Sequence, residues 1–313
     1  MRAKGRDIVE LFGYAPDDTS DIARDIWSKQ LCPFLGECCT KTNHDQSIVY
    51  GTCSVSNGIQ KSSGSEIIIC PKRIYADTHK IFHTVIETAW PEQEKTLVVG
   101  GNLQELREKA LSVSHPIIAF GQNSGKEIQI KSNGTLSMDW ILQSYENIKG
   151  NLLPVNFIGI EIQSIDITGN YRDNWSAYNQ IRQGAPIHEV PNSGHGLNWA
   201  NVHKRLIPQI IRKGNVYEKT ENCIGFFFIL PEPVYQKFEE VIGDVEMCTR
   251  PKKDNLSVIT LNLGREEPPG KVRDLTIVRE VHYPLGDVAA AFIGNISKEA
   301  PHKLEESLRG ILS

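Results

Sequence analysis

The chain has 313 residues, 40% hydrophobic and 23% charged, an ordinary globular balance that excludes a disordered chain and allows one large core or a core plus a smaller unit. Lys and Arg total 34 against 38 Asp and Glu, a net charge of −4 at pH 7, so a nucleic-acid partner would have to be met by a local basic surface. The opening MRAKGRDIVELFGY is charged throughout and no later apolar run is long enough to cross a bilayer, which predicts a cytoplasmic protein with no membrane partner.

Residues 5–30 read as an amphipathic helix. The stretch from Leu31 to Arg73 is rich in Gly, Ser, Thr and Asn, lacks helical periodicity and reads as loop that needs a staple. Five of the seven cysteines fall in this part of the chain, an odd and irregular set that suits a reducing compartment better than a disulfide framework. Cys32, Cys53 and Cys70 with either Cys38 or Cys39 offer four soft ligands for a tetrahedral metal site, although scattered buried thiols satisfy the same spacing. An amino-terminal helix and cysteine segment over residues 1–75 and a main domain over residues 76–313 are expected.

Thr78 to Trp90 returns to helical periodicity and Thr96 to Val99 is a short strand. Asn102 with Glu105 forms a capping signal ahead of a helix from Leu103 to Val113. From Lys126 the period becomes two: Glu127 to Lys131, a turn at Ser132, Asn133 and Gly134, then Thr135 to Gln143, then Val155 to Ile165, three strands in meander order. Helices are predicted at Trp175 to Arg182, Asn198 to Lys213, Pro233 to Ile242 and Leu304 to Leu312. Strands are predicted at Ile224 to Leu230, Leu256 to Leu263 and Arg273 to His282. The fold class is α/β with a mixed sheet flanked by helices.

In the third strand of the meander, Phe157, Gly159, Glu161 and Gln163 share one face and Ile158, Ile160 and Ile162 the other. In the second, Ser137, Asp139 and Ile141 oppose Met138, Trp140 and Leu142. A two-residue hairpin loop would set Asp139 against Ile128. A three-residue loop with Gly134 left-handed instead pairs Ile130 with Leu136, Ile128 with Met138 and Glu127 with Asp139, which segregates apolar from acidic positions. Acids side by side repel, and a hard cation such as Mg²⁺ offsets that repulsion; a solvated outer face accounts for the same alternation.

Asn198 to Lys213 carries Trp199, Val202, Leu206 and Ile210 in one stripe, as core or dimer contact, with Asn198 capping, Gly214 terminating and Pro208 kinking the helix. Asn201, Lys204, Arg205 and Arg212 lie elsewhere on it, residue types that meet phosphates and base edges and equally form a solvated face. His188 and His195 sit in the loop before it and receive no catalytic role; Cys223 and Cys248 read as buried free thiols.

Asp139 followed by Glu161-Ile162-Gln163 on an apolar strand resembles the PD-(D/E)xK nuclease core with Gln where Lys is usual. CPFLGECCTK from Cys32, GTCSV from Gly51, ICPKR from Ile69 and GLNWANVHKRLIPQIIRKG from Gly196 extend the resemblance, which is to the NotI-type restriction endonucleases and runs over most of Cys32 to Gly214. The resemblance implies a PD-(D/E)xK core with an amino-terminal four-cysteine segment. It implies a Mg²⁺-dependent type II restriction endonuclease that hydrolyses double-stranded DNA at a GC-rich palindrome as a homodimer. It puts metal-binding acids at Asp139 and Glu161, the motif glutamine at Gln163 and an upstream acid at Glu127. It chooses Cys39 over Cys38, because the family motif sets a cysteine two residues before Lys41, and implies a structural iron or zinc on Cys32, Cys39, Cys53 and Cys70. A non-catalytic DNA-binding or regulatory module, or a repair-type nuclease of the same fold, are the competing expectations.

Overall fold

The computed structural model describes residues 8–43, 45–56, 66–131, 134–168, 175–176, 179–180, 196–294 and 300–309. The first expected helix is half strand. Ile8–Leu11 (β1) is buried along its whole length, which a helix laid on a core would not permit, and it pairs antiparallel with Thr52–Ser56 (β2), which pairs in turn with Glu66–Ile68 (β3). Phe12 and Gly13 then turn at positive φ, and helix α1 (Asp21–Lys29) starts where the Ser20 side chain caps the Ala23 N–H.

The segment expected as loop therefore contributes β2, β3 and a short hairpin of Leu31–Cys32 with Glu37–Cys38. It is anchored from beneath by Glu10 of β1, fully buried, whose carboxylate accepts from the Arg73 guanidinium at 3.0 Å and from Ser54 Oγ at 2.8 Å. Desolvation of the pair is offset by these hydrogen bonds, and Arg73 also donates to the Arg273 carbonyl oxygen and covers the Phe34 ring, with its Nη1 left without a partner among the described residues.

Helix α2 (Ala76–Ala89), strand β4 (Thr96–Val98) and helix α3 (Leu103–Leu111), with Asn102 capping the Glu105 N–H, follow as predicted. Pro116–Gly121 (β5) is an additional strand. Ile128–Lys131 (β6) and Thr135–Met138 (β7) pair in the segregating register, Ile128 with Met138 and Ile130 with Leu136, across a three-residue connection, and Gly134 has φ +112°. They form a sheet of their own, however. The predicted second strand breaks at Asp139, and Trp140–Ile148 (β8) belongs to the main sheet, between β5 and Asn151–Ile162 (β9).

The main sheet has seven strands in the order β12-β11-β10-β9-β8-β5-β4, with β10 at Cys223–Pro231, β11 at Asn255–Leu263 and β12 at Leu275–Pro284. Its centre, β9, β10 and β11, is parallel and its flanks are antiparallel, apart from the parallel pair β4 and β5. Parallel strands carry helices on both faces, so β10 reads as an unbroken apolar run, CIGFFFILP. Ile158, Ile160 and Ile162 pack with Trp140, Phe227 and α2 on one face. On the other, Phe226, Phe228 and Leu230 pack under α4 (Ile207–Lys219), α5 (Glu232–Ile242) and α6 (Leu285–Gly294). Helix α7 (Ala300–Arg309) closes the described chain.

The predicted helix from Asn198 to Lys213 differs in three respects. Its amino-terminal part, Val202–Leu206, is a π-turn in which the Ile207 N–H reaches five residues back to the Val202 carbonyl. Pro208, lacking an N–H, sits in the first turn of α4, which is how this chain accommodates it. Gly214 does not end the helix; α4 runs to Lys219, and a Cβ at Gly214 would lie 2.6 Å from the Leu285 side chain, so this glycine lets α4 and α6 approach. The stripe of Val202, Leu206 and Ile210, with Trp199 against it, is core. Of the helix expected from Trp175 to Arg182, 175–176 and 179–180 are helical and the rest lies outside the described residues, as do His188 and His195.

Candidate active site

Asp139 occupies the one-residue break between β7 and β8, where the chain leaves the small hairpin sheet for the main one. Gly121 of β5 makes that step possible: a Cβ there would lie 2.4 Å from the Asp139 carbonyl oxygen and 2.6 Å from the Trp140 ring. Glu161 lies near the end of β9, on the face opposite the isoleucines. Turned inward by the break, Asp139 accepts the Ile162 N–H on Oδ2 at 3.0 Å, and its own N–H donates to Glu161 Oε1 at 3.4 Å. Two carboxylates, one from the break before β8 and one from β9, thus stand at the carboxyl-terminal edge of the parallel centre.

Both meet one cation. The Lys213 ammonium, on α4, donates to Glu161 Oε2 and lies 3.5 Å from Asp139 Oδ1. Glu161 and Lys213 are 6% and 7% exposed, whereas the Asp139 side chain keeps 37% of its surface open, so the pair is approached from the Asp139 side. Burial, and next the Asp139 carboxylate, push the Glu161 carboxyl up to about 8, while the Lys213 ammonium draws it down. Tyr217, one helical turn beyond Lys213, is buried beside the pair, and burial, then Glu161 and Asp139, hold its pKa well above the ordinary phenol value.

Lys213 had no part in the sequence reading, yet a signal was there. In the buried series Val202, Leu206, Ile210, Lys213, Tyr217 the lysine takes a place in the apolar stripe, and a cation at that position asks for a buried anion.

Gln163 follows β9 directly; its N–H donates to the Ile229 carbonyl of β10 and its side-chain amide to the Ser164 carbonyl at 2.8 Å. It borders a cleft of about 150 Å³ whose walls include Asp166, Asn201, Arg205 and Gln209. Asn201 Nδ2 donates to Asp166 Oδ2 at 3.1 Å. Of the four expected DNA contacts, Asn201 and Arg205 therefore face the candidate catalytic edge, while Lys204 and Arg212 are exposed elsewhere on the helix. Glu127 lies one residue before the β6 ladder, exposed; continuing the register by one step sets it opposite Asp139.

Cys32, Cys39, Cys53 and Cys70 line a second cavity, of about 210 Å³, bordered by Lys41, Lys72 and Phe12. Cys38 is exposed on the short hairpin and does not line it. The walls come from separate elements, held by the Ile69 and Cys70 N–H groups, which both donate to the Cys53 carbonyl. Burial raises the pKa of Cys32, Cys39 and Cys53, and Cys70 raises each further. Among the described residues no three or more His, Cys, Asp or Glu side chains are arranged to hold a metal ion. The thiols fit a soft ion in kind and share one cavity, without closing into a coordination shell.

A family model described as Restriction endonuclease NotI matches residues 19–238. The match runs from α1 through the cysteine segment and both carboxylates to the middle of α5. A comparison with curated proteins gives no match. No helix among the described residues is long and apolar enough to cross a membrane.

Proposed function

Since the chain belongs to the NotI restriction endonuclease family, and is thus of a nuclease family that acts on double-stranded DNA, we propose that it is a type II enzyme of the PD-(D/E)xK kind, hydrolysing DNA with Mg²⁺. The observation that carries this reading is the convergence of Asp139, in the break before β8, and Glu161, on β9, on a single cation position beside a cleft bearing Asn201 and Arg205.

Two carboxylates supply hard oxygen ligands of the kind Mg²⁺ takes while keeping several waters and substrate oxygens. When bound, the ion neutralises charge on the scissile phosphate and activates a water. Asp139 and Glu161 would hold it. Gln163, neutral, orients the attacking water by hydrogen bonding and cannot supply charge, and Glu127, one residue before β6, would be an upstream acid. Asn201, Lys204, Arg205 and Arg212 carry the DNA contacts, Asn201 and Arg205 nearest the chemistry. The family resemblance suggests a GC-rich palindrome and a two-fold dimer to match it. Residues 1–75 form the architectural segment, in which Cys32, Cys39, Cys53 and Cys70 would hold a structural iron or zinc.

The test is incubation with plasmid DNA and Mg²⁺. Discrete fragments from the wild type, none from Glu161→Ala or Asp139→Ala, and retained site-specific binding by both variants in Ca²⁺ are expected. Binding without cutting by the wild type, or undiminished cutting by Glu161→Ala, would overturn the assignment.

A further inference from the structure

We propose that Lys213 is a catalytic residue of this nuclease, its ammonium contacting the scissile phosphate and stabilising the charge that builds there, so that helix α4 supplies the cation that Gln163 on the strand side cannot. This rests on the reading of Asp139 and Glu161 given above.

The geometry leads to it. Lys213 Nζ is in contact with Glu161 and 3.5 Å from Asp139, so a phosphate oxygen brought to those two carboxylates lies within reach of the same ammonium. With both carboxylates ionised, as a bound cation would require, Asp139, Glu161 and Lys213 sum to −1. A purely architectural ion pair is a weak explanation. Removing an ammonium from water is costly and well-packed apolar residues often do as well, and Lys213 lies in a stripe where Ile210 and Tyr217 already pack. Nor would an architectural pair need the lysine to answer two carboxylates, one on β9 and one in the break before β8.

The backbone is arranged to permit the approach. Gly159, two residues before Glu161, leaves room for the Tyr217 ring, whose Cζ would be 2.1 Å from a Cβ at that position. With Tyr217 seated on bare strand backbone, Lys213, one turn earlier, comes down at the level of Glu161.

The experiment compares wild type, Lys213→Met, Lys213→Arg and the relocation variant Gln163→Lys/Lys213→Met. Readouts are single-turnover cleavage of a plasmid that the wild type cuts, site-specific binding in Ca²⁺, and melting temperature. Lys213→Met is expected to slow cleavage by about a hundredfold or more while binding changes by only about threefold. Lys213→Arg should keep part of the rate, and moving the lysine to position 163 should recover about tenfold over Lys213→Met. Should Lys213→Met not fold, Lys213→Gln, which removes the charge and can still donate a hydrogen bond to Glu161, takes its place both alone and in the relocation variant, with the same outcomes read the same way.

Cleavage by folded Lys213→Met within about threefold of wild type, or a relocation variant no faster than Lys213→Met, would overturn the proposal. If Glu161→Ala is inactive in the same assay, that failure leaves the carboxylate assignment standing. If Glu161→Ala also cuts normally, the site itself is wrong.

Discussion

The Tyr217 ring lies directly on Gly159, so close that a single added methyl would fall 2.1 Å from its Cζ atom. Helix α4 rests the Tyr217 ring on the bare backbone of strand β9 there, two residues from Glu161 and one helical turn from Lys213. Gly159→Ala should therefore displace the helix from the strand. Overpacking of this kind costs about 1–3 kcal/mol, and a drop in melting temperature with a larger proportional loss of cleavage is expected. Unchanged melting and cleavage would show that the contact positions nothing.

Glu161 makes stability depend on pH in an unusual direction for an acid. Its folded pKa, about 8, lies above the ordinary carboxylate value of 4.5, so between those values the folded state holds a proton that the unfolded state has released. Stability from this group is present below about pH 4.5 and is lost as pH rises through 8, at up to about 1.4 kcal/mol per pH unit. In a chelating buffer, Glu161→Gln should gain in melting temperature relative to wild type between pH 5 and pH 8. An identical pH dependence for the two proteins would contradict the shift.

Among the basic and amide side chains of the 201–212 segment, the cleft sorts near from far. Arg205→Ala should weaken binding to the recognition site by about 1–3 kcal/mol and relax base preference. Arg212→Ala should weaken all sequences alike and flatten the salt dependence. Equal loss on specific and random duplexes from both variants would remove Arg205 from base recognition.

At the cysteine cavity, Cys39→Ser should lower the content of bound iron or zinc, measured by elemental analysis, and lower the melting temperature. Cys38→Ser, altering an exposed thiol, should leave both unchanged. The reverse ranking would exchange the two cysteines.

Much of this was legible where one physical demand dominated the sequence. Alternation in β6 and β7 fixed the pairing of Ile128 with Met138, because only that register keeps the acids off the apolar face. The isoleucines at 158, 160 and 162 declared the α2 side of β9, and Asn102 declared the start of α3. Strand β5 was hidden because PIIAFG, nearly all buried, has no alternation to read, and β1 because Ile8–Leu11, buried on both sides, was read as the start of the amphipathic helix that follows. The break at Asp139 was hidden too: it is imposed by the neighbouring Gly121 and Trp140, which no local pattern connects. Lys213 was missed because a lysine between Arg212 and Gly214 in a basic helix looks solvated until its carboxylate partners, 74 and 52 residues away in the chain, are placed beside it.

The π-turn at Val202–Leu206 has a consequence for how reading and cutting are joined. It holds one residue more than an α-helical turn would need, and one residue is about 100° of rotation. Asn201, just upstream of it, and Arg205, within it, border the cleft; downstream, Lys213 meets the carboxylates. The turn is thus a phase joint in a single rod, and its length sets the angle between the side chains that border the cleft, proposed above to contact DNA, and the lysine that meets the carboxylates. Excising one residue there would leave each end intact and aim them at different parts of the duplex, giving a protein whose choice of site and whose cut no longer coincide.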